Sequence, residues 1–169
     1  MDNNFHEYVV GCSDQGRRPH VLVIPCPLHG HITPFLGLCD VLADQGDVAI
    51  TFIITPRYKP MVERHLASRT NGSLAEHEKR NFVLAVLGPD GLPEDYVISI
   101  DDLPTYLRRV ERLEGPLESL VGEMMCSVEG FGGPTCILSD SHLGWVQNVA
   151  DKFNLPRMCF LTSSTVEFT

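Results

Sequence analysis

His20-Val21-Leu22-Val23-Ile24-Pro25-Cys26-Pro27-Leu28-His29-Gly30-His31-Ile32-Thr33-Pro34 is the stretch on which the fold turns. The apolar run from His20 to Pro25 is too short for a helix and reads as a buried strand. Two prolines break it, a Gly-His pair follows, and Thr33-Pro34 supplies a hydroxyl N-cap with a proline preset for a first helical turn. The reading is strand, short loop, helix, with His31 at the junction. Parallel α/β sheets gather ligands and chemistry at such junctions. A histidine there lies near the positive end of the helix dipole, which opposes the imidazolium and leaves the ring available as a proton acceptor. Such a base needs a carboxylate to fix its tautomer. From the loop alone, a histidine that merely bonds its own backbone fits as well.

Outward from this stretch, helical spacing of Phe35, Leu36, Cys39, Leu42 and Ala43 marks a helix closed by Gln45-Gly46. Val48 to Ile54 is a β-branched and aromatic strand, and Tyr58 to Ala67 a short helix. Ser68 to Lys79 reads as a surface loop, with Asn71-Gly72-Ser73 as a turn, and Phe82 to Leu87 as strand three. Gly88-Pro89-Asp90-Gly91-Leu92-Pro93 is a loop long enough to rim a pocket. A helix capped by Asp102 carries Leu103, Tyr106, Leu107, Val110 and Leu113. It is kinked or split at Gly115-Pro116 and continues through Leu117, Leu120, Val121, Met124 and Met125. That stripe is core, and the methionine pair is also suited to an adaptable pocket wall. Cys136 to Asp140 is strand four, and Ser141 is placed to cap a helix with Trp145, Val146, Val149, Ala150 and Phe153. Asn154-Leu155-Pro156 stops it before strand five, Arg157 to Leu161, which leads to Thr162.

This β–α alternation implies a doubly wound, Rossmann-like parallel sheet with right-handed crossovers. In the common order 3-2-1-4-5, strands one and four are neighbours at the switch point. His31 and Asp140 then emerge side by side, with Thr162 one strand further along. That convergence is what raises His31 above a stray loop histidine.

A net charge of −9 lacks the basic footprint that nucleic acid or an anionic membrane requires. No apolar run reaches membrane-spanning length, and residues 1–19 read as a flexible polar leader ahead of one domain, 20–169. Six cysteines without CxxC spacing read as reduced, mostly buried thiols, in keeping with a cytoplasmic chain. A hydrolase metal site of His29, His31 and Asp140 has fitting ligand types but lacks further ligands at nearby strand ends. A dinucleotide oxidoreductase is disfavoured, because Gly30 is the only glycine in the first strand–helix loop.

Several segments together carry a resemblance. They are the His20-Val21-Leu22-Val23 strand, Gly30-His31-Ile32-Thr33-Pro34, Gly91-Leu92-Pro93-Glu94-Asp95, Cys136-Ile137-Leu138-Ser139-Asp140 before a Trp-bearing helix, and Asn154-Leu155-Pro156 leading to Leu161-Thr162-Ser163-Ser164. In this order they resemble the N-terminal domain of a plant-type, family 1 UDP-dependent glycosyltransferase of the GT-B fold. The resemblance implies that His31 is the general base, Asp140 its charge partner, and Thr162 a neighbour of the donor's sugar or phosphate. It implies an inverting single displacement with a UDP-sugar as co-substrate, no metal or other cofactor, and a small hydrophobic hydroxyl-bearing acceptor such as a phenolic or terpenoid. The acceptor pocket would be shaped by the Gly88–Pro104 loop, the kinked helices and the strand ends. Thr33 stands where the family often has asparagine. The family's nucleotide-binding signature, rich in Trp, His, Gly, Asn and Ser, belongs to a C-terminal domain and has no counterpart here; the single tryptophan is Trp145. The expectation is a fragment, or half of a split enzyme, carrying the acceptor side and the base, with little activity alone. The alternatives are one subunit of a two-chain transferase, or a small-molecule binding domain without turnover.

Overall fold

The computed structural model of the 169-residue chain describes residues 18–45, 47–69, 81–88, 99, 101–127 and 131–162. Residues 1–17 of the leader (with Cys12), most of the 68–79 and 88–104 loops and the Gly46 cap lie outside these residues. Five strands, β1 (His20–Ile24), β2 (Ala49–Ile54), β3 (Phe82–Val86), β4 (Cys136–Asp140) and β5 (Arg157–Phe160), form one sheet in the order β3-β2-β1-β4-β5. Every pairing is parallel, so the sequence reading of a doubly wound sheet and of its strand order holds.

The central strand is buried along its whole length, and its alternate side chains feed two cores. Val21 and Val23 face α1 (His29–Asp44) and α2 (Lys59–Arg69), meeting Phe35, Leu36 and Val62. Leu22 and Ile24 face α3 (Leu103–Val110), α4 (Glu114–Cys126) and α5 (Val146–Lys152), meeting Val110, Leu117 and Val149. Helices on both faces explain why β1 and β2 read as continuous apolar runs rather than alternating ones.

Four local expectations are corrected. α1 begins at His29 with Leu28 as N-cap, so Thr33 is no cap and Pro34 lies inside the helix. As the sixth helical residue Pro34 has no N–H for the Gly30 carbonyl one turn back, while the Thr33 hydroxyl donates to the His29 carbonyl at 3.1 Å. Asp102 precedes α3 without a side-chain cap bond; its carboxylate instead accepts from the Ser99 hydroxyl at 3.0 Å. The break between α3 and α4 is a 3₁₀ turn, Glu111–Leu113, just before Gly115-Pro116. Ser141 is exposed and caps nothing, since α5 starts only at Val146. At its far end Asn154 takes a left-handed φ of 52°, which a short polar side chain tolerates, and Leu155 N–H closes onto the Ala150 carbonyl at 2.9 Å. The thiols are free as expected but less buried: Cys26 and Cys39 are enclosed, whereas Cys126 and Cys159 are exposed.

Candidate functional site

β1 and β4 are adjacent and in register, Val23 opposite Leu138 and Ile24 opposite Ser139, so the segments that follow them leave the same edge of the sheet. His31 is in the first turn of α1, where its N–H bonds the Leu28 carbonyl at 3.0 Å. The loop before it is held from the other layer by the buried Tyr106 hydroxyl, which donates to the Pro27 carbonyl at 2.6 Å. Asp140 ends β4 with a fully buried side chain. The two residues, 109 positions apart, meet with His31 Nδ1 2.8 Å from Asp140 Oδ2.

Thr162, just past β5, joins them. Its hydroxyl stands 2.6 Å from His31 Nδ1 and donates to Asp140 Oδ2 at 3.4 Å. Asp140 Oδ1 is taken by His142, whose backbone N–H donates at 3.0 Å and whose Nδ1 lies at 2.9 Å. The two imidazoles pack edge to face with centroids 5.0 Å apart. Burial alone would raise the Asp140 carboxyl. Hydrogen bonds from the His31 ring and from the backbone and ring of His142, with the His31 charge, outweigh it and hold the carboxyl below its ordinary range. An ionised Asp140 accepts a hydrogen bond from Nδ1–H, so His31 is assigned the Nδ1–H tautomer and Nε2 carries the free lone pair. Nε2 has no hydrogen-bond partner among the described residues, and the side chain is 19% exposed.

His142 was missed by sequence reasoning, which looked for histidines beside His31. The signal was its position two residues after a strand-end carboxylate, where a turn lets backbone and ring reach back together. His29, by contrast, is exposed and stands apart from the cluster. His31, Asp140 and His142 each offer a metal-ligating atom within 4.8 Å of the others, and the Asp140 carboxylate already joins the two histidines through hydrogen bonds at their Nδ1 atoms. Arg157 was missed as well. Its guanidinium donates to the Ser139 hydroxyl at 2.8 Å and to the Leu143 carbonyl at 3.0 Å, bracing the turn that carries Asp140 and His142.

A cavity lined among others by Pro25, Pro27, Ile32, Thr55, Leu143 and Trp145 reaches the residue that follows His31 and the segments that follow β1, β2 and β4. Val110 and Leu113 close it from the helical layer. The methionine pair does not: Met124 packs on the core and Met125 is exposed. No described helix is long and apolar enough to cross a membrane.

No family model matches the chain. It is 32% identical over 163 residues to UDP-glycosyltransferase 83A1 of Arabidopsis thaliana, covering 95% of this chain and 32% of that protein. It is 30% identical over 146 residues to the scopoletin glucosyltransferase of Nicotiana tabacum, covering 83% and 28%. The crystal structure of Arabidopsis thaliana UGT89C1 complexed with UDP-L-rhamnose superposes with a TM-score of 0.69 at 25% identity, over 88% of this chain and 34% of that one. The quercetin complex of the same protein gives 0.67, also at 25% identity, over 86% and 35%. The chain thus spans about a third of the length of the relatives it matches. The parallel sheet with flanking helices is that of the Rossmann-like α/β half of the GT-B architecture.

Proposed function

We infer that this chain, related to plant UDP-glycosyltransferases along about a third of their length, supplies the acceptor-binding side and the general base of an inverting sugar transfer. The observation that carries the reading is the 2.8 Å contact of His31 Nδ1 with the buried Asp140 carboxylate, which leaves Nε2 free on the helical turn whose next residue, Ile32, lines an apolar cavity.

The acceptor's ring system lies in the cavity and presents one hydroxyl to Nε2. As the hydroxyl oxygen attacks the anomeric carbon, its proton passes to Nε2, the bond from that carbon to the diphosphate breaks, and UDP leaves. Asp140 offsets the charge that His31 gains, and a base placed this way contributes roughly 10²–10⁴-fold. Thr162 is assigned first to the dyad, on its distances to His31 and Asp140, and from there toward the donor sugar. The UDP moiety is held mainly by groups outside these 169 residues, and no metal is invoked. The acceptor is a small hydroxyl-bearing apolar molecule. The names of a scopoletin glucosyltransferase and of a quercetin complex among the relatives support that class.

The test joins this chain to the remaining two thirds of UDP-glycosyltransferase 83A1 and measures UDP release from UDP-sugars with a phenolic panel. His31→Ala should lower kcat about 10²–10⁴-fold while calorimetric acceptor affinity holds. A His31→Ala chimaera that keeps its rate overturns the assignment of the base.

A further inference from the structure

Among the described residues the cavity's lining is aliphatic except at two, and both of these hold a polar group without a hydrogen-bond partner. Thr55 follows β2, is 2% exposed, and has a buried hydroxyl without a hydrogen-bond partner. Trp145, the N-cap of α5, has a buried indole N–H in the same condition. They come from opposite sides of β1, one after β2 and the other after β4, yet both line the one cavity. The polar side chains of Asp140, Thr162 and Tyr106, by contrast, have partners. Buried donors left unanswered are costly, and a site that holds them discriminates strongly in favour of a ligand that answers them.

We propose that Thr55 and Trp145 form a polar subsite that selects acceptors bearing a neutral carbonyl oxygen on the ring system, away from the hydroxyl presented to His31. The inference rests on reading this cavity as the acceptor pocket. A carbonyl oxygen has two lone pairs and accepts from the indole N–H and the threonine O–H together. Thr55 carries a methyl and a hydroxyl on one Cβ, so a turn about χ1 exchanges which of them the cavity receives. No described lysine, arginine or histidine lines the cavity, which favours a neutral carbonyl over a carboxylate.

The test uses the whole 169-residue chain and two probes of matched shape, 6-acetyl-2-naphthol and 6-isopropenyl-2-naphthol, the second with a methylene group in place of the carbonyl oxygen. Calorimetry should show the acetyl compound binding about ten-fold more tightly. The preference should fall to within about two-fold in a Thr55→Val, Trp145→Phe variant, with the isopropenyl compound unaffected. In the unaltered chain, the carbonyl stretch of the bound acetyl probe should lie at lower frequency than in an alkane, a readout that does not depend on the variant folding. Equal affinities, an unshifted stretch, or a preference that survives in the folded variant overturn the polar subsite and leave the pocket standing. Failure of both probes to bind overturns the pocket and the subsite together.

Discussion

At the scale of single residues, Asp140 does more than a partner in a dyad requires. One buried carboxylate accepts from the His31 ring, the His142 ring, the His142 backbone and the Thr162 hydroxyl. Both oxygens are engaged, so the carboxylate has one orientation and His31 one tautomer. Removing the His142 ring leaves Oδ1 with a single backbone donor, so His142→Ala should destabilise the chain by about 1 kcal/mol in urea titration. Asp140→Ala removes the acceptor for all of these donors at once and should cost more, about 3 kcal/mol. Equal effects of the two variants would mean that the cluster is not organised around the carboxylate. The meeting of His31 and Asp140 was legible in the sequence, because strand order alone brings their chain positions together. The presence of Thr162 in the same cluster was not, since its rotamer and the length of the turn after β5 are set by packing. Neither was His142, whose reach back to Asp140 depends on the turn adopted after β4.

Elements were legible where one physical signal dominated. The strands were read from continuous apolar runs, and burial on both faces of the sheet is the reason those runs exist. Helix starts were misread where two signals competed. Thr33-Pro34 has the chemistry of a cap and first turn, but Leu28, extended and next to a strand end, starts α1 five residues earlier than Thr33 by bonding its carbonyl to the amides of His31 and Ile32. The consequence favours function, because His31 is then held within a helical turn instead of a free loop. The same helix retains a glycine that packing does not require. Gly37 lies in the interior of α1, is exposed, and a Cβ there would meet nothing within 4 Å. Gly37→Ala should therefore raise stability by about 0.5–1 kcal/mol, read as a higher thermal midpoint with unchanged probe binding. In the opposite direction, Arg157→Ala should loosen the turn from Asp140 to Leu143. The measurement is faster amide hydrogen exchange at Leu143, whose N–H bonds the Asp140 carbonyl at 3.1 Å, with the β1–β2 amides unchanged.

For the molecule as a whole, the two ends of the sheet hold two buried titratable groups whose shifts place acid sensitivity in separate windows. His20, at the start of β1, is 1% exposed between the Gly132 carbonyl, 3.0 Å from Nδ1, and the Thr51 hydroxyl, 2.8 Å from Nε2. The neutral ring satisfies both, donating from Nδ1 and accepting at Nε2. Burial pushes its pKa down from 6.5, against smaller opposing effects of the Gly132 and Gly133 carbonyls. Below 6.5 the unfolded chain therefore takes up a proton that the folded chain refuses. Stability that is fully present above this value falls as pH drops through it toward the folded value, then levels. Asp140 acts lower on the scale. Its folded carboxyl stays ionised where the unfolded one, at 3.8, is already protonated, so its contribution is present above 3.8 and is lost as pH falls through the folded value. Thermal midpoints followed from neutral pH into acid should accordingly fall in two stages. His20→Gln, which keeps a neutral donor and acceptor, should flatten the upper stage alone, and Asp140→Asn the lower stage alone. An upper stage that persists in His20→Gln would place its origin in other histidines, and the base of the sheet would then not be what acid attacks first.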